Sequence, residues 1–180
     1  MGDRMVSTES VAAAMGAGKY AEPLERACIE HGITTPLEKA HFLAQVSHES
    51  DGFHTATEYA SGRAYEGRED LGNTQQGDGV RFKGRGLIQV TGRANYASYS
   101  KWKYGDDRVV RSPQMLAELP DAVDAAAWYW TVERPKIPAM ARADNLVGVT
   151  KAINGGTNGL ADRARRLDQA KRLFGIGAAA

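Results

Sequence analysis

Apolar residues recur at helical spacing over most of the chain and lose that spacing over one long stretch. Residues 7–15 and 20–31 read as two short helices, separated by residues 16–19, with Gly32 stopping the second. A third begins at Thr35, a good N-cap, with Pro36 at the first helical position and Glu38 placed to complete a capping box. Ser50, Asp51 and Gly52 end it. Residues 53–86 change character: Gly62, Gly67, Gly72, Gly77, Gly79, Gly84 and Gly86 alternate with polar residues, which predicts a glycine-rich loop region with short strands. Its aromatics, Phe53, Tyr59, Tyr65 and Phe82, argue for a packed, functional segment rather than a disordered one. Helical patterns return at 91–100, at 112–119, at 120–133 with Pro135 and Pro138 breaking it, from Asp144 or Asn145 to Ile153, and at 159–174. The fold expected is mainly α, with a loop-rich segment lining a central cleft.

The third helix organises the rest. Phe42, Val46 and Glu49 are spaced by four and three residues and so share one face. Glu49 therefore closes an apolar stripe. A carboxyl in apolar surroundings holds its proton to higher pH, as a general acid requires. The alternative is a helix-end carboxylate in solvent. Glu58 lies nine residues on, beyond the break. An unbroken helix would set the two roughly 13 Å apart along its axis. The break lets the chain return, so that Glu58 can face Glu49 across a groove in the manner of the two carboxylates of an inverting glycosidase, about 6.5–9.5 Å apart. Glu66, Glu69 and Asp70 lie in the same loop and compete for the second role, Glu66 first among them.

Composition narrows the choices. The 180 residues suffice for one sizeable core, and a single domain spanning 1–180 is expected. The net charge of +1 gives no bulk attraction for nucleic acid, and no nucleic-acid partner is expected. Eight basic residues between Arg81 and Arg111 form a local cluster, most simply a solvated face. Cys28, the single cysteine, excludes an internal disulfide and suits a small buried position in a reducing compartment. The first ten residues carry no apolar run of a signal peptide, and no run approaches the roughly 20 residues of a membrane helix. His41, His48 and His54 lack metal-ligand spacing, so neither metal nor cofactor is expected. There is no GxSxG elbow, and Gly84-Arg85-Gly86 is too short for a dinucleotide fingerprint.

Four motifs stand in a fixed order: HFLAQVSHES, TEY, FKGRGLIQVTGRANY, and INGGTNG with ADR before the last helix. Together they resemble the glycoside hydrolase family 19 catalytic domain over about residues 35–175. The likeness is closer to the family's phage and bacterial endolysins than to its plant chitinases. The resemblance implies a lysozyme-like, two-lobed helical fold and inverting hydrolysis of β-1,4 bonds at N-acetylated amino sugars. By position it implies Glu49 as general acid, Glu58 as base and Thr91 as a hydroxyl holding the attacking water. His48, Gln89, Asn95, Tyr96, Asn154 and Arg163 fall at substrate-binding or supporting positions, with Arg163 beside Glu58. Simpler readings remain for several: Thr91 and Asn154 as helix caps, Tyr96 as core, Gln89 as structural and Arg163 as a solvated arginine.

The short link between the two carboxylates and the absence of disulfides depart from the plant pattern and favour peptidoglycan glycan strands over chitin. The expected protein is a monomeric lytic glycosidase, made in the cytoplasm of a host cell and reaching the cell wall after holin-type release, with no stable membrane insertion and no separate wall-binding module. A chitinase and a catalytically inactive glycan-binding module are the alternatives.

Overall fold

The computed structural model describes residues 6–176. Ten α-helices appear among them: α1 (Thr8–Ala14), α2 (Ala21–Glu30), α3 (Pro36–Glu49), α4 (Asp78–Arg81), α5 (Arg93–Tyr104), α6 (Arg108–Arg111), α7 (Asp121–Trp128), α8 (Ile137–Arg142), α9 (Leu146–Asn154) and α10 (Leu160–Leu173). Short 3-10 turns punctuate the chain, and α7 runs on into a π-helical turn, Tyr129–Glu133. No strand forms among the described residues. The strands expected in the loop reduce to isolated antiparallel bridges, Thr57 with Arg85 and Arg85 with Val90.

Helix α3 is the axis of the molecule. It packs along α10 and against α8, while α2 bridges α1 and α7. Ala40, Phe42, Leu43, Ala44 and Val46 are buried, and so are Glu38, His41, Gln45 and Ser47. The helix is therefore enclosed on all sides, and the single apolar stripe read from Phe42, Val46 and Glu49 is only part of its buried surface. Burial of polar side chains is tolerated only where each finds a partner. His41 Nε2 meets Asp144, Gln45 Nε2 donates to Thr150, and Ser47 accepts from Arg166.

The start of α3 is half the expected capping box. Thr35 Oγ1 accepts from the Glu38 amide at 3.2 Å. The Glu38 carboxylate does not turn back to the Thr35 amide. It is buried, accepting from Trp130 Nε1 at 2.9 Å and pairing with Arg142 at 3.0 Å. Trp130 in turn stacks edge-on against Phe42, their centroids 5.2 Å apart. The cap thus became a tertiary tie between α3 and the end of α7.

Helix α5 starts later and runs longer than expected, with Gly92 rather than Thr91 as its N-cap. Helix α8 lies where Pro135 and Pro138 were read as breakers. Pro138 sits in its first turn, where a missing amide costs nothing. Cys28 is buried as expected, and burial pushes its thiol up to about 12. No described helix is long and apolar enough to cross a membrane.

The basic cluster lies mostly at the surface, as expected of a solvated face, and much of it is paired with neighbouring groups. Arg93 pairs with Asp78, Arg108 with Asp106, Arg111 with Asp107 and Lys103 with Asp124. Arg85 donates to the Arg81 carbonyl and the Tyr96 hydroxyl.

Candidate active site

The end of α3 turns sharply. Asp51, Gly52 and Phe53 all have positive φ, at 52°, 66° and 66°. For Asp and Phe this left-handed backbone is uncommon and must be held by its surroundings. Ser50 holds it: its buried hydroxyl donates to the Val46 carbonyl at 2.6 Å and accepts the Phe53 amide at 2.9 Å. The chain then doubles back, and the Glu58 amide donates to the Gly84 carbonyl at 2.9 Å. In this way the break after Glu49 brings Glu58 to the facing wall.

A cleft of about 530 Å³ lies between the walls, lined by His48, Glu49, Asp51, Thr55, Glu58, Tyr59, Gln89, Asp162 and Arg166. Both expected carboxylates line it, as do His48 and Gln89. The helical wall is a charged network. Arg163, 1% exposed, pairs with Glu49 Oε1 at 2.8 Å and also donates to Gln45 Oε1 and the Asn158 carbonyl. His48 Nδ1 lies 2.7 Å from Asp162 Oδ2, which Arg166 Nε also reaches at 2.7 Å. Burial would raise the Asp162 carboxyl, but hydrogen bonds from Arg166 and His48 outweigh it and hold the group far below the usual carboxylate range. Gly159 makes room for this pairing: a Cβ there would stand 2.4 Å from His48 Cε1.

The loop wall is built differently. Glu58 Oε2 accepts from the Tyr65 hydroxyl at 2.9 Å, while Oε1 is buried without a hydrogen-bond partner. Gly84 lies against both Glu58 and Gln89. A Cβ at that position would come within 2.9 Å of Gln89 Oε1 and 3.2 Å of Glu58 Oε2.

Several expectations are corrected. Arg163 stands on Glu49, not on Glu58, so the expected contrast of an acid in apolar surroundings and a base beside a cation is not the arrangement found. Tyr96 is fully buried, its hydroxyl donating to the Lys83 carbonyl and accepting from Arg85, with its ring edge-on to Phe82; it is core and does not line the cleft. Asn95 Nδ2 donates to the Thr91 carbonyl at 2.9 Å, a contact internal to the start of α5. Thr91, Asn95, Asn154 and Arg163 are not among the residues lining the cleft. Asn154 is exposed at the last turn of α9, and Gly155 supplies the left-handed cap. Glu66, the rival second carboxylate, is also outside the lining. Its oxygens accept the Gly77 and Gly79 amides at 2.8 and 2.9 Å, and those bonds lower its pKa.

Sequence reasoning overlooked Gln45, Asp162, Arg166 and Tyr65. Gln45 lies one turn before Glu49, and Asp162 and Arg166 are one turn apart, so their i, i+4 spacings were visible signals. Among the described residues no group of three or more His, Cys, Asp or Glu could hold a metal ion.

A helical body with Glu49 and Glu58 on the walls of one cleft has the makings of a glycosidase. Residues 28–158 match the family model for class I chitinase, and the chain belongs to glycoside hydrolase family 19. It is a glycoside hydrolase by that membership. A glycosyl hydrolase family 19 domain-containing protein of Haemophilus influenzae is 32% identical over 165 aligned positions, covering 74% of this chain and 78% of that protein. An Arabidopsis thaliana endochitinase is 33% identical over 127 positions, covering 69% of this chain and 42% of its own length. Chitinase C from Streptomyces griseus shares the fold with a TM-score of 0.73 at 20% identity, over 99% of this chain and 98% of that one. The class IV chitinase of Zea mays does so with a TM-score of 0.62 at 20% identity, over 96% and 82%.

Proposed function

We propose that this chain is a lytic glycosidase that cuts β-1,4 bonds in the glycan strands of bacterial peptidoglycan with inversion at the anomeric carbon. The observation that carries the reading is the shared cleft, with Glu49 on the end of α3 and Glu58 on the returning loop. In this mechanism Glu49 gives its proton to the glycosidic oxygen as the bond to the anomeric carbon breaks. A water attacks that carbon from the opposite face and gives a proton to Glu58. Glu58 Oε1 is buried and has no protein partner, so the carboxylate must turn toward the cleft for that oxygen to take the water's proton, while Tyr65 steadies Oε2. Gln89 presents an amide that can bond sugar hydroxyls or N-acetyl groups. Glu49 must release its pairing with Arg163 or share it with the substrate for proton transfer, which ties the acid's readiness to glycan binding.

Peptidoglycan is preferred as substrate because the link between the two carboxylates is short and the cleft rim is charged, through His48, Asp51, Asp162 and Arg166. Peptide stems carry carboxylates and amines that such a rim can meet; chitin carries neither. The reading brings with it a monomer that reaches the wall after holin-type release. A chitinase is the second reading, favoured by the similarity to proteins described as endochitinases.

Glu49→Gln should lower hydrolysis of purified peptidoglycan by about 10²–10⁴-fold while leaving the thermal midpoint near wild type. Activity near the wild-type level removes Glu49 from the acid role. Faster release of reducing ends from chitin oligomers than from peptidoglycan selects the chitinase. Mass spectrometry of the released muropeptides, reading which sugar carries the new reducing end, identifies the bond cut.

A further inference from the structure

Among the described residues that line the cleft, Tyr59 alone carries a six-membered aromatic ring. It is 76% exposed, more than any other large hydrophobic side chain described. A single exposed tyrosine is ordinary on a protein surface. This one is held in place. Its hydroxyl donates to Asp51 Oδ2 at 2.8 Å, and Asp51 itself sits at φ 52° in the left-handed turn that follows the acid. The Asp51 carbonyl accepts from His54 Nδ1 at 2.6 Å, which fixes the turn from its other side. Left-handed backbone at a non-glycine residue is strained and concentrates where a site must be held in shape. The ring also follows Glu58 directly, and the Glu58 amide is pinned to Gly84.

The rest of the cleft lining is mostly charged or hydrogen-bonding: His48, Glu49, Glu58, Gln89, Asp162 and Arg166. Such groups serve the hydroxyls of a sugar and offer nothing to its C–H face. An aromatic face carries partial negative charge, and the C–H bonds of a pyranose point partial positive charge toward it. We infer that Tyr59 is the stacking platform for the sugar ring next to the cleavage point, and that Asp51 sets the angle of that platform. The inference rests on a glycan occupying this cleft, as proposed above. Asp51 is a positioning residue in this account, and Tyr59 touches the substrate.

The test measures binding rather than turnover. In a Glu49→Gln background, calorimetric titration with a β-1,4-linked N-acetylglucosamine tetramer and with soluble peptidoglycan strands compares Tyr59 with its variants. Y59A should weaken binding about three- to tenfold, Y59F less than that, and neither should move the thermal midpoint by more than about 2 °C. Asp51→Gly keeps a backbone at ease with positive φ and removes the tether, so it should weaken binding in part. With the N-acetylglucosamine tetramer, which carries no peptide stem for the Asp51 carboxylate to meet, that loss should vanish when Y59A is already present, because Asp51 acts through the ring. Affinity unchanged in Y59A, or no glycan bound by either protein, overturns the platform; additive losses for Asp51→Gly and Y59A overturn the tether. Hydrolysis by the unmodified enzyme is read separately: glycan bound but not cut sinks the proposed function and leaves the platform standing.

Discussion

Each wall of the cleft carries one of the two candidate catalytic carboxylates, and the walls hold them by opposite means. On the helical wall, Glu49 is fixed by side-chain charge: Arg163 pairs with it, and Gln45 and the Asn158 carbonyl fix Arg163. On the loop wall, Glu58 is fixed by backbone and close approach. Its amide bonds to Gly84, its carboxylate leans on Tyr65, and Gly84 leaves no room for a Cβ beside it. A regular helix presents its side chains at set intervals, so precision there needs only partners at the right height. An irregular segment has no such ruler, and its precision comes from main-chain bonds and from what is absent at a glycine. The walls should therefore fail differently when mutated.

The largest effect is expected on the helical wall. Arg163→Leu leaves Glu49 and Gln45 without their shared cation in a site where Arg163 is 1% exposed. Removing one partner of a buried pair costs about 3–5 kcal/mol. For a chain of this size that is about 6–20 °C in thermal midpoint. Stability and hydrolysis should fall together, and a loss below about 1 kcal/mol by denaturant titration would show that Arg163 does not hold this wall.

On the loop wall the order reverses. Gly84→Ala must displace the ends of the Gln89 and Glu58 side chains and crowd the Gln89 Cβ at 3.1 Å. Overpacking of this kind costs about 1–3 kcal/mol. Moving a catalytic carboxylate by a fraction of an ångström to one ångström can cost up to about 10²-fold in rate. We expect kcat reduced about 10- to 100-fold with the fold retained by circular dichroism. A variant that loses stability but keeps kcat would break the contrast between the walls.

How much of this was legible in the sequence follows the same division. The start of α3 at Thr35 and Pro36 and its end at Ser50-Asp51-Gly52 were readable because caps and stops are local chemistry. So was the turning back of Glu58 toward Glu49. The Arg163 pairing was misread because it depends on how α10 lies against α3, and no spacing along the chain records that packing. Tyr96 was misplaced because a motif position names a residue but not the direction of its side chain; here the side chain points into the core. Helix α8 was missed because Pro138 reads as a breaker unless the first turn is recognised as its place. The double enclosure of α3 was hidden for a related reason. Glu38, His41 and Gln45 look like a solvent face until their partners, each nearly a hundred residues or more away, are brought in.

The smallest predicted effect separates the core of α3 from the loop segment by pH. His41 on α3 is fully buried, its Nε2 is 2.7 Å from Asp144, and Nδ1 has no partner. Asp144 also pairs with Lys171 at 2.7 Å, so the charges facing His41 are one carboxylate and one ammonium. Burial lowers the imidazole below its ordinary 6.5, a shift that the Asp144 hydrogen bond only partly offsets. Below about pH 6.5 the unfolded chain therefore takes up a proton that the folded chain refuses, and stability declines as pH falls. Glu66 in the loop has its carboxyl lowered from 4.5 by the Gly79 and Gly77 amides. Its contribution is present above about pH 4.5 and is lost only as pH falls beneath that value. Stability should thus begin to fall through His41 on α3 before it falls through Glu66 in the loop segment. Thermal midpoints at pH 7.5 and 5.5 test this: wild type should lose more over that interval than His41→Gln, which can still donate to Asp144 but does not titrate. Equal losses would mean that His41 is protonated as readily inside the fold as outside it, and that the early weakening belongs to some other group.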